Sequence, residues 1–257
     1  MMQGRNLLRA RVAHFRGQSF AQTLSGVLAL HRAALTEIRR FPVTTVLGLA
    51  IPLATILLIT ATDLLLGAAG EITRSSMPIL LAVLLVTASF GALAVPVAEA
   101  RERGTVRFLA TVPLHRGALL LAHTPIALTL ALVVAVAGLA AARTPPSAIP
   151  GAFAVCAGLC AIGLGLGSVG GALARRGSQV RALGMIVPAA VLLTAGALPF
   201  EAFLPGADWV LGYVPTTALA YVLADTLAGG RPGLGPTAWI AAGGLVLWAV
   251  GVTRCRR

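Results

Sequence analysis

Long uncharged apolar runs alternate along this chain with short segments that hold almost all of its charge. Six runs stand out, at 41–61, 78–98, 118–142, 151–173, 182–199 and 236–253. Each is about 18–25 residues long, enough for an α-helix to cross roughly 30 Å of hydrocarbon. The second run opens at Pro78 after Ser75 and Ser76, which predicts a helix start with proline in its first turn. The pattern predicts an all-α membrane protein with six transmembrane helices.

Residues 20–40 precede the first run and differ from it. Phe20, Leu24, Val27, Leu28, Leu35 and Ile38 recur at helical spacing, with Arg32, Glu37 and Arg39 largely off that stripe. This predicts an amphipathic helix in the cytoplasmic interface, ending near Pro42. A simple extension of the first span would carry Arg32, Glu37, Arg39 and Arg40 to depth, where charge is costly. Residues 1–19 hold Arg5, Arg9, Arg11 and Arg16 but no apolar core of the length a cleavable signal needs. The chain thus divides into a cytoplasmic N-terminus with its interfacial helix, 1–40, and a six-span domain, 41–257.

The stretch 200–228 between the fifth and sixth runs is of another kind. It holds Glu201, Asp208 and Asp225, the prolines Pro205 and Pro215, and the aromatics Phe200, Phe203, Trp209, Tyr213 and Tyr221. Aromatics with scattered acids suit a membrane–water boundary. We expect a re-entrant or interfacial helical element there, on the outer side.

Composition sharpens the class. Hydrophobic residues make up 58% and charged residues 11%, against about 25% charged in soluble domains. So few charges exclude a soluble enzyme, a disordered tail and a coiled coil. The net charge of +12 comes from twenty basic residues, all of them Arg. They lie in short clusters between apolar runs, without the single basic stripe of a nucleic-acid-binding domain. With both termini in the cytoplasm, 17 of the 20 Arg fall on the inner side and only Arg74, Arg143 and Arg231 outside, as the positive-inside rule favours.

Several chemistries find no residues to carry them. The apolar cores contain no Asp, Glu or Arg, and only His123 lies near a span end, so the midplane ionisable group of an ion-coupled carrier is missing. A P-loop needs a Lys, and HExxH needs a pattern this chain lacks. Ser168 sits in Gly167-Ser168-Val169-Gly170, but a hydrolase elbow would need Gly where Leu166 stands. Cys156 and Cys160, four apart on one helix face, read as small packing residues, and no metal site is expected. Gly163, Gly167 and Gly171 form a GxxxGxxxG run, which lets helix backbones approach closely. It fits packing within the bundle or a subunit seam.

The longest inner loop, 99–117, runs Glu99-Ala100-Arg101-Glu102-Arg103-Gly104-Thr105-Val106-Arg107-Phe108-Leu109-Ala110-Thr111-Val112-Pro113-Leu114-His115-Arg116-Gly117. Thr105 is a candidate N-cap after Gly104. Val106, Leu109 and Val112, with Phe108 nearby, put an apolar stripe on a short helix that Pro113 ends. A charged loop with an exposed apolar stripe calls for a partner to cover it.

Glu99, Glu102, Gly104, Thr105, Leu109 and Pro113 match an E-x-x-E-x-G-T-x-x-x-L-x-x-x-P stretch. This resembles the coupling segment of ABC transporter permeases of the type-2 exporter branch, which includes daunorubicin-resistance-like drug exporters and polysaccharide exporters. The likeness extends to the interfacial helix, the six spans and the outer element, where Leu204-Pro205 and Val214-Pro215-Thr216 are similar to the family's pattern. Arg103 and Arg107 make the loop more basic than the family pattern.

The resemblance implies a permease subunit that is not itself an enzyme. It would bind no cofactor, with ATP and Mg held by a separate ABC ATPase subunit. It would pair with a second permease, the same chain or a related one, in a bacterial cytoplasmic membrane. The coupling residues would be Glu99, Glu102, Gly104, Thr105, Phe108, Leu109 and Pro113. The two acids would face basic residues of the ATPase or else offset Arg101 and Arg103 locally. An apolar, charge-free interior suits amphipathic drugs, lipids or lipid-linked molecules, and argues against highly charged solutes unless the path is lined by backbone and hydroxyls such as Thr55, Thr60, Thr87 and Ser89. The competing expectation is a non-transporting membrane scaffold or assembly factor.

Overall fold

A computed structural model describes residues 20–40, 42–105, 117–174, 176–195, 211–230 and 233–254. Among them are eight helices and no strand: α1 Phe20–Arg40, α2 Pro42–Leu65, α3 Glu71–Glu102, α4 Ala118–Ala141, α5 Ile149–Leu173, α6 Gly177–Thr194, α7 Pro215–Leu227 and α8 Leu234–Arg254. Six of them, all but α1 and α7, are long and apolar enough to cross a membrane. The chain is a multi-pass membrane protein.

The bundle is built around α3 and α5. Met77, Leu81, Leu85 and Leu93 of α3 and Val155 and Leu159 of α5 are fully enclosed. In lipid, apolar side chains gain nothing by leaving their solvent, so helix association depends on close van der Waals contact between small residues. The sequence supplies these on two faces of α5. A β-carbon added to Gly163 would stand 2.6 Å from the Val86 carbonyl oxygen, and one on Gly167 would stand 2.9 Å from that of Phe90. Gly171 follows against Ala94 and Val97. The GxxxGxxxG run therefore packs α5 on α3, within the chain.

The other face of α5 meets α8. An added β-carbon on Gly165 would lie 2.6 Å from the Gly244 carbonyl oxygen, and one on Gly244 would lie 2.5 Å from that of Ala161. One turn on, Ser168 packs on Gly251; its hydroxyl donates to the Gly165 carbonyl at 2.8 Å and the Leu247 carbonyl at 3.3 Å. Ser168 is thus a packing residue of this seam. Cys156 and Cys160 are buried in α5 as free thiols.

Several helix limits differ from the sequence expectation, and α3 runs on to Glu102, so that Glu99 and Glu102 of the expected loop are helical. Pro78 does not open its helix: α3 begins at Glu71, after Gly70 in the left-handed region (φ 97°). The reason is Asp63, in the last turn of α2 and buried. Its carboxylate accepts from the backbone N–H groups of Gly70 and Thr73, each at 3.2 Å, and so caps the start of α3. Asp63 is therefore helical, although the first apolar run stopped short of it. α6 starts at Gly177, five residues before the expected 182, for a reason given below.

The peripheral helices are held more lightly. α1 is a helix of its own, which buries Ala34 and packs on α4, where His31 Nδ1 lies 2.8 Å from the Ala122 carbonyl. α6 touches the core along one stripe, Gly177, Val180 and Val191, and exposes Met185 and Ile186. α7 has 13 residues, about 20 Å of helix, short of the roughly 30 Å hydrocarbon thickness. It buries Leu219, Leu223 and Leu227 in the core, and Thr217 hydrogen-bonds the Thr194 carbonyl at the end of α6. Residues 200–210 of the expected outer element lie outside the described residues.

Candidate functional site

Charge collects at one end of the bundle, around the C-terminus of α3. The last turn of that helix carries Glu99, Arg101 and Glu102, with Arg103 as its cap. Gly104 ends the helix: at φ 74° it is left-handed, and its N–H reaches the Arg101 carbonyl at 3.0 Å. Glycine adopts this geometry without the penalty a side chain would bring.

Successive residues on a helix point about 100° apart, so these side chains serve different neighbours. Arg101 turns to α5. Its Nη1 donates to the carbonyls of Gly171 (2.9 Å), Ala172 (2.6 Å) and Ala174 (3.0 Å). These belong to the C-terminal end of α5, where carbonyls lack helical partners and a cation is favoured. Glu102 turns to α6. Its Oε1 accepts from the Gly177 N–H at 2.6 Å, at the N-terminal end of that helix, where an anion is favoured. Adjacent residues of opposite charge thus close two helix ends of opposite polarity. That capping is why α6 starts at Gly177.

Glu99 and Arg103 share the remaining face, four residues apart. Arg103 donates to Glu99 at 3.1 Å and to Glu37 of α1 at 3.0 Å. These side chains remain largely exposed, so the pairs contribute little to stability but fix the direction in which the chain leaves α3.

Of the coupling residues named from the sequence, Glu99, Glu102 and Gly104 come together here, and Thr105 follows at the edge of the described residues. Phe108, Leu109 and Pro113 lie outside them. Glu99 pairs locally with Arg103. Glu102 caps α6 through the Gly177 N–H. Gly171 belongs to both the glycine seam and the Arg101 clamp. The sequence reading gives Arg101 only a local charge role and Glu37 only a place on the polar face of α1, and does not single out Gly177. The i, i+4 spacing of Glu99 and Arg103 could have been read directly; contacts across 66 to 75 residues leave no local signal.

Further polar features lie along the spans. Thr55 and Thr60 return their hydroxyls to the Ile51 and Ile56 carbonyls. Thr87 and Ser89 of α3 make no hydrogen bond among the described residues. At the end opposite Arg101, a cavity of about 240 Å³ is lined by Thr60, Asp63, Gly70, Thr73 and Arg143, among others. No three His, Cys, Asp or Glu side chains among the described residues are placed to hold a metal ion.

Comparison of the sequence with protein-family models gives no match, and comparison with curated proteins gives no relative.

Proposed function

We propose that the chain is the membrane-spanning permease subunit of an ATP-driven exporter of the type-2 ABC branch. It moves an amphipathic drug-like or lipid-like substrate across a bacterial cytoplasmic membrane. The ATP and Mg sit on a separate ATPase subunit, and a second permease completes the path. In this reading the Arg101 end of the bundle is cytoplasmic.

The observation that carries the reading is the connectivity at the end of α3. The loop leaving Arg103 is joined to α1 through Glu37, to α5 through Arg101 and to α6 through Glu102, and it continues into α4. A partner that pulls on this loop acts on five helices together. The motif of residues 99–113 and the absence of charge from the middle of the spans support it further. A ligand or nucleotide shifts such an equilibrium only through different affinity for the two states, so the substrate path must change when the loop moves. Half-buried Thr87 supplies a hydroxyl on α3 for that path, whereas Ser89 is enclosed against Gly163 in the α3–α5 seam.

The first test is purification of the tagged chain from its host in mild detergent, with associated proteins identified by mass spectrometry. A stoichiometric ATP-binding subunit is the expected result. Its absence in several detergents, with the chain folded, would instead favour a membrane scaffold. Replacing Phe108 and Leu109 together with Asp is expected to release the ATPase and abolish export while leaving the bundle folded; retained assembly and export would sink the coupling assignment.

A further inference from the structure

α1 divides into sectors around its axis. Buried Ala34 and half-buried Val27, Leu30, His31 and Ile38 form the face toward the bundle. Leu24, Leu28 and Leu35 lie within about 40° of one another at 3.6 residues per turn, and all three are exposed. Arg32 and Arg39 flank this leucine stripe on the side away from the bundle. They stand seven residues apart, about 10 Å along the helix, and are exposed. Among the described residues neither guanidinium has an acceptor. The acid of this helix, Glu37, lies on the far side and is engaged by Arg103.

We propose that the Arg32–Arg39 flank of α1 is a binding surface for the headgroups of anionic phospholipids. Exposed leucines beside water would be unfavourable, and α1 is held against the spanning helix α4, at the membrane boundary. The leucine stripe enters the acyl region, and the two arginines then meet the headgroup layer. A guanidinium donates two parallel hydrogen bonds to a phosphate, so an anionic headgroup satisfies both its charge and its fork of donors. The Glu37–Arg103 pair removes the one nearby acid that would weaken this field. The inference rests on the spanning helices and α1 alone and holds whether or not the chain serves an exporter.

The test is native mass spectrometry of the purified full chain titrated with phosphatidylglycerol or phosphatidylcholine. Phosphatidylglycerol is expected to bind in preference. The double variant R32Q/R39Q is expected to weaken it about 25-fold, at roughly 5-fold per arginine near a membrane surface. R32K/R39K should recover part of the loss, and the charge-matched R176Q/R181Q should leave most binding intact. A melting temperature equal to wild type confirms that R32Q/R39Q remains folded; if it does not, the conservative lysine variant against R176Q/R181Q decides. Equal binding of the two lipids, unchanged binding in R32Q/R39Q, or an equal loss in R176Q/R181Q would overturn the proposal. Displacement of the lipid by millimolar inorganic phosphate would also overturn it, in favour of a soluble-anion site.

Discussion

The Glu102 carboxylate accepts a hydrogen bond from the Gly177 backbone N–H at 2.6 Å, across 75 residues of sequence. One residue earlier, Arg101 closes the end of the preceding helix. The turn between α5 and α6 is thus held from outside by a dipeptide at the end of α3. A displacement of α3 at this point carries that turn with it.

Replacing Glu102 with Ala leaves the first turn of α6 without its carboxylate. The loss of an N-terminal cap costs about 1 kcal/mol, so a modest fall in thermal stability is expected. Amide hydrogen exchange across 176–180 should rise while exchange in α5 stays unchanged. Glu102→Gln keeps an acceptor oxygen and should fall between wild type and Ala.

Arg101 reaches three carbonyls at the end of α5 through its Nη1. Arg101→Met should cost about 2 kcal/mol, since carbonyls lose a charged donor in a partly buried place. Arg101→Lys keeps the charge without the planar fork and should recover only part of the loss. A denaturation series in detergent reads both. If export depends on this clamp, ATP hydrolysis in the assembled complex should persist while transport falls.

The α5–α8 seam is predicted to tolerate little added volume. Gly244→Ala places a methyl against the Ala161 backbone, and Gly165→Ala places one against Gly244. Overpacking of this kind costs about 1–3 kcal/mol. Gly48→Ala and Gly184→Ala add the same methyl where nothing lies within 4 Å, and should be neutral or slightly stabilising. Parallel melting curves of the four variants compare them directly.

What the sequence conveyed, and what it did not, follows from how far each interaction reaches. Apolar runs long enough to cross hydrocarbon mark α2, α3, α4, α5, α6 and α8, because each run is a local property. Gly163, Gly167 and Gly171 mark a close approach, since their spacing puts them on one helix face. That α3 fills that approach is a fact of assembly. The start of α3 is not legible locally, because Glu71 and Arg74 look like loop residues and Pro78 like an opening residue. What allows the earlier start is Asp63, a carboxylate on the preceding helix. At the candidate site, Gly104 and the Glu99–Arg103 spacing can be read from the sequence. The roles of Arg101 and Glu102 cannot, because their partners are backbone groups some 70 residues away.

The seam between α5 and α8 also bears on how the protein is made. α8 is synthesised after α6 and α7, so the face of α5 that carries Ala161, Gly165 and Ser168 enters the bilayer before its cover exists. Until then a groove of bare backbone faces lipid, and the Ser168 hydroxyl has the Gly165 carbonyl of its own helix but not that of Leu247. Nascent chains therefore pass through a stage that a membrane protease or chaperone can recognise, and it ends when Gly244 and Gly251 dock. A chain stopped at residue 233 should remain in that stage and decay faster than the full chain in a pulse–chase experiment.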